Sequence, residues 1–193
     1  YFFGVVVALA RPEWVKPASA TAAARGPAAT AIVFDTSLSM RWIDGSTLFE
    51  RARDEARDAL KDLLPEESAN VLLCGASPLP PGAPGFDRRK LRALIDEAKP
   101  GYGACDLARC LDLAARSLEE SPLAGKRLVV VSDFTANALR LETPPPTVAG
   151  PKGERVRPEL VLRDAAKDHP ALPNRAIVDL KVEPALQVGP RAF

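Results

Sequence analysis

The sequence has a single histidine, His169, and only three cysteines, Cys74, Cys105 and Cys110, with no Cys-x-x-Cys spacing. An odd count without that spacing indicates neither a disulfide framework nor a zinc site. Cys74 and Cys110 fall on apolar faces and read as core residues. The chain also lacks an excess of either charge. Its 26 basic and 25 acidic residues leave a net +1, which is no electrostatic footprint for nucleic acid, so no DNA or RNA partner is expected. Long hydrophobic runs are missing as well. The opening stretch Tyr1 to Ala10 is apolar but falls short of the ~20 residues a spanning helix needs. The chain does not start on Met, and Arg11, Trp14 and Lys16 suit an interfacial anchor. Residues 1–12 are therefore expected to be the end of a transmembrane helix. Residues 13–29, built mostly from Pro, Ala, Ser, Thr and Gly, read as a linker. The full length of 193 residues suffices for one domain with a good core and hardly for two.

What is present centres on Ala31-Ile32-Val33-Phe34-Asp35-Thr36-Ser37-Leu38-Ser39-Met40. Apolar residues run into an Asp and then two serines at alternate positions, the pattern of a buried strand ending in oxygen ligands. The carboxyl ends of strands are where ligands sit in open α/β sheets. A carboxylate with two hydroxyls is a hard donor set, suited to Mg²⁺ or Mn²⁺. A second apolar strand, 127–133, also ends in a carboxylate, Asp133.

Between these strands, Thr47-Leu48-Phe49-Glu50 gives a capping box that starts a helix running to about Leu64, with Leu48, Ala52, Ala56, Ala59, Leu60 and Leu63 as its apolar stripe. A strand follows over 69–75, then a Pro-rich connector over 77–85. Asp87 caps a short helix, with Phe86 and Leu91 spaced as a hydrophobic staple and Leu94, Ile95 and Ala98 on its buried side. Asp106 caps a further amphipathic helix over 106–120. Strands alternating with helices call for a mostly parallel sheet with right-handed crossovers and helices on its faces, a doubly wound α/β fold. Later on, 135–139 reads as a helical turn, 142–158 as a Pro-rich excursion, and 160–162 and 176–182 as strands.

The Asp35-x-Ser37-x-Ser39 spacing, the strand-end Asp133, and the turn Gly101-Tyr102-Gly103-Ala104-Cys105-Asp106-Leu107 resemble von Willebrand factor A domains. Those domains carry a metal-ion-dependent adhesion site. The resemblance covers about residues 28–165, and the flanks are similar to bacterial membrane-anchored Bat (aerotolerance regulator) proteins. It implies an A domain over 30–165 and a β-rich extracytoplasmic region opening over 166–193. It further implies Mg²⁺ or Mn²⁺ held by Asp35, Ser37, Ser39 and Asp133, with Cys105 standing where relatives place a Thr ligand. A thiol is a poor ligand for a hard cation.

Three readings of function follow. The first is a non-enzymatic, membrane-anchored interaction domain, lying outside the cytoplasm, that binds a protein partner whose carboxylate completes the metal's coordination. The second is a metal-free A domain serving as a scaffold for a membrane complex. The third, a haloacid dehalogenase-like phosphatase with Asp35 as nucleophile, is disfavoured because Ser37 stands where its general acid should be. Catalysis by a Cys105 thiol is disfavoured too, since His169 lies far off in the sequence.

Overall fold

Every residue of Ala28–Asp35 is buried, and this segment forms β1, the inner strand on which the rest of the sheet is built. The computed structural model describes residues 26–134, 146–150 and 153–167. The elements after β1 are a 3-10 turn at Leu38–Arg41, a small hairpin of β2 (Ile43–Asp44) and β3 (Ser46–Thr47), and α1 (Leu48–Lys61). Then come β4 (Ser68–Cys74), α2 (Arg88–Glu97), α3 (Leu107–Glu119) and β5 (Gly125–Ser132). A second hairpin, β6 (Val148–Ala149) with β7 (Arg155–Val156), precedes β8 (Glu159–Asp164).

The main sheet has the order β4-β1-β5-β8 and all its pairings are parallel. Such a sheet needs cover on both faces, because strands linked by crossovers are buried on both sides. Ile32 and Phe34 of β1 pack with Leu48, Phe49, Ala52 and Ala56 of α1 and Ile95 of α2. Ala29, Ala31 and Val33 point the other way, into a cluster with Leu107, Cys110, Leu111, Ala114 and Leu118 of α3. The period of two in the strand and the stripe on each helix thus divide the core into two layers.

The expected capping box is formed. Glu50 N donates to Thr47 Oγ1 at 3.1 Å and Thr47 N donates to Glu50 Oε2 at 2.8 Å, a contribution of about 1 kcal/mol to the helix start. Asp87 and Asp106 cap α2 and α3 in the same way, accepting from Lys90 N and Arg109 N.

Several boundaries differ from expectation. β1 starts at Ala28, since Ala28 and Ala29 already pair with Gly125 and Ser68. No closed staple forms at α2, because Phe86 stays 62 % exposed, and Leu94 is 39 % exposed rather than buried. The Pro-rich connector lacks regular structure but runs beside the outer edge of β4: Ala69 and Gly85 exchange two backbone hydrogen bonds, which blunts an open strand edge. The excursion over 142–158 contains the β6–β7 hairpin. The expected helical turn at 135–139, the strand at 176–182, the opening apolar segment and most of the linker lie outside the described residues.

At the amino end of the sheet, Arg127 of β5 donates to Glu67 at 3.1 Å and to Glu159 of β8 at 2.9 Å. Glu67 is itself buried and also accepts from Leu64 N at 2.9 Å. Arg88 holds the adjacent carbonyls of Leu64 and Glu67. These bonds leave the buried carboxylate well compensated.

Candidate metal centre

Because β1 lies between β4 and β5, the chain leaves β1 toward one side and later crosses to the other. The crevice outside the carboxyl ends of β1 and β5 is therefore a topological switch point. Asp35 ends β1 and Asp133 follows the last residue of β5. The two carboxylates expected from sequence close neighbouring parallel strands.

Asp35 is fully buried. Its Oδ1 accepts from Ser37 N at 2.8 Å and its Oδ2 from Ser132 Oγ at 2.6 Å. Burial pushes the Asp35 carboxyl above its ordinary range, the hydrogen bonds from Ser132 and Ser37 pull it back, and the nearby charge of Asp133 adds to the upward push. Ser37 Oγ and Ser39 Oγ lie 3.0 Å apart. Asp133 is half-buried, and Ser132 Oγ reaches its Oδ1 at 3.5 Å, a long contact. The chain turns sharply there, with Phe134 in the left-handed region at φ 47° and its N–H donating to Ser132 Oγ at 3.1 Å.

The loop 36–38 is stitched to two others. Thr36 N and Thr36 Oγ1 both donate to Cys74 O, at 2.8 and 3.1 Å. Gly101 N donates to Thr36 O at 2.7 Å and Leu38 N to Gly103 O at 2.9 Å. The turn that carries Cys105 thus abuts the Asp35 loop. Close approach explains two glycines here: a Cβ on Gly75 would lie 2.9 Å from Thr36 Oγ1, and one on Gly103 would strike Ala76 Cβ. The same loops carry exposed apolar side chains, with Ile43 70 % and Tyr102 78 % exposed beside Leu38 and Trp42. Arg41 stacks over Tyr102 at 4.4 Å.

The von Willebrand factor type A domain model matches residues 30–135. The chain belongs to this family. No curated protein sequence matches it. Among solved structures, this A domain is similar to the PilB minor pilin from Streptococcus sanguinis, with 23 % identity over 55 % of this chain and 30 % of that one and a TM-score of 0.48. It is also similar to BatB from Bacteroides thetaiotaomicron, with 18 % identity over 54 % and 52 % of the two chains and a TM-score of 0.47. A third is an aerotolerance-related membrane protein from Bacteroides fragilis, with 15 % identity over 72 % and 91 % and a TM-score of 0.47. The A domain chain spans about a third of the length of the pilin it matches. Among the described residues, no helix is long and apolar enough to cross a membrane.

One sequence expectation is corrected at this site. The three cysteines, read as giving no disulfide, converge: Cys74 Sγ lies at bonding distance from both Cys105 Sγ and Cys110 Sγ. All three are buried. The cause is register, since Cys74 is the residue of β4 that pairs with Asp35 and α3 crosses that face of the sheet. Cys74 and Cys110 are core residues as expected, but the Cys105 sulfur faces Cys74.

Sequence reasoning missed Ser132, which bonds the Asp35 carboxylate directly. Its signal was a hydroxyl closing an otherwise apolar strand one residue before Asp133.

Proposed function

We propose that this von Willebrand A domain is a non-enzymatic interaction module that binds a protein partner through Mg²⁺ or Mn²⁺. The observation that supports the reading is that Asp35 and Asp133 stand at the carboxyl ends of neighbouring parallel strands with Ser132 Oγ reaching both, while Ser37 and Ser39 follow Asp35 on one loop with their hydroxyls 3.0 Å apart. Their donors are all hard oxygens, the set that suits these cations. Asp35, Ser37 and Ser39 would hold the ion from one loop and Asp133 from the other. The bound ion supplies a Lewis-acidic centre with exchangeable positions for a carboxylate of the partner. Leu38, Trp42, Ile43 and Tyr102, exposed on the adjoining loops, offer apolar contact around that charge-dependent centre, the mixture that interfaces favour. The partner is therefore a protein surface presenting an acidic side chain beside apolar residues.

In the same reading residues 1–12 anchor the chain in a bacterial membrane, and the A domain lies outside the cytoplasm. Calorimetric titration of the protein with Mg²⁺ and Mn²⁺, with Asp35→Ala as control, tests the metal. Saturable heat in the parent and none in the variant is expected. The absence of heat in both at millimolar concentration overturns the reading.

A metal-free scaffold is the second reading, favoured by one observation, the Cys105 sulfur turned toward Cys74. A melting temperature unmoved by Mg²⁺ and Mn²⁺ would support it over the first.

A further inference from the structure

We infer that Cys74, Cys105 and Cys110 form a thiol–disulfide exchange triad with Cys74 as its pivot. The Cα atoms of Cys74 and Cys105 are 5.9 Å apart, and those of Cys74 and Cys110 are also 5.9 Å apart. Both separations fall within the range disulfides span. A sulfur forms one disulfide at a time, so the oxidised protein carries one bond and one thiol. The three sulfurs lie within 4.8 Å of one another, so whichever is unbonded stands beside the bond.

The chemistry balances with three groups. The first bond forms when two of the thiols lose two protons and two electrons to an external disulfide such as glutathione disulfide, which is reduced to two thiols. Exchange then needs no further oxidant: the remaining thiol gives up its proton and attacks Cys74 Sγ, a new S–S bond forms as the old one breaks, and the departing thiolate takes up a proton. Cys105 is nearest the surface, lying between exposed Ala104 and Asp106.

The two bonds tether different parts of the molecule. The Cys74–Cys110 bond ties β4 to the first turns of α3. The Cys74–Cys105 bond ties β4 to the turn whose Gly103 carbonyl holds Leu38 N, and so stiffens the loop that follows Asp35. Pairing therefore regulates the firmness of the proposed site. The pairing itself does not depend on metal binding.

Peptide mapping tests the pairing. The protein is equilibrated in glutathione disulfide, blocked with N-ethylmaleimide in denaturant and digested with trypsin without reduction. Cleavage after Arg109 separates Cys105 from Cys110, placing the three cysteines in peptides 62–88, 93–109 and 110–116. The expected result is one maleimide per chain and two cross-linked species, 62–88 joined to 93–109 and 62–88 joined to 110–116. Cys105→Ser and Cys110→Ser each retain one bond, to the remaining partner. In Cys110→Ser, hydrogen exchange over 36–39 and 101–106 is slower than in Cys105→Ser.

Three maleimides per chain would overturn the inference. So would a single cross-linked species in the parent, or a dominant 93–109 to 110–116 link. Thiols that resist labelling until zinc is chelated would identify a three-thiolate metal site instead. Metal titration read beside the map keeps the two proposals separate, because a chain that binds neither cation can still show both links.

Discussion

Ser132 Oγ donates to Asp35 Oδ2 across 2.6 Å, joining the ends of two parallel strands through their side chains. Ser132 also accepts from Phe134 N, so one hydroxyl fixes both the buried carboxylate and the turn that carries Asp133. Ser132→Ala removes the donor from a buried acceptor, a loss of about 1–3 kcal/mol. The expected outcome is a lower denaturant midpoint with an unchanged slope, checked by urea unfolding. Ser132→Thr, which keeps the hydroxyl, is expected to recover most of it.

Asp35→Asn probes the cost of the buried charge. Because burial raises the Asp35 carboxyl above its ordinary 3.8, this group's contribution to stability is greatest below that value and is lost as pH rises through the raised one. At neutral pH in chelator, Asn is therefore expected to hold or raise the melting temperature. It is expected to abolish the calorimetric response to Mn²⁺. Stability gained together with binding lost is the signature of a residue kept for function.

Cys105→Thr is expected to tighten Mg²⁺ binding. Threonine carries both a methyl and a hydroxyl on Cβ, so one can fill the apolar space of the sulfur while the other offers a hard donor to the loop. One added polar contact of about 1 kcal/mol corresponds to roughly fivefold in affinity. Equal dissociation constants in paired titrations would refute this.

Gly103→Ala tests the stitching of the loops. Its Cβ would strike Ala76 Cβ, whereas a Cβ on Gly82 meets nothing within 4 Å. Gly103→Ala is expected to cost about 1–3 kcal/mol in thermal unfolding, the usual penalty of overpacking, and Gly82→Ala almost nothing.

The parts of the fold that were legible in the sequence are those set by neighbours along the chain. The capping box at Thr47 and Glu50, the Asp caps of α2 and α3, and the strand ending at Asp35 each depend on residues within a few positions. The pairing of Asp35 with Cys74 depends instead on strand register, and the meeting of Cys74 with Cys110 depends on where α3 crosses the sheet. Those contacts span 36 residues or more, and no local pattern encodes them. Ser132 was hidden for a related reason: a serine at a strand end is ordinary until the neighbouring strand brings a carboxylate to it. Phe86 shows the opposite failure, a correct spacing for a staple without the burial to close it.

The network at the far end of the sheet bears on how the chain is made. Glu67, Arg127 and Glu159 are joined by two ion pairs, yet a ribosome delivers them far apart in time. Until β5 emerges, the Glu67 carboxylate lacks its ion pair with Arg127. Until β8 emerges, one edge of β5 stays open and Arg127 has only one of its two carboxylates. The sheet thus grows outward from β1 as synthesis proceeds, and a nascent chain halted before residue 159 remains an unfinished sheet with an adhesive edge.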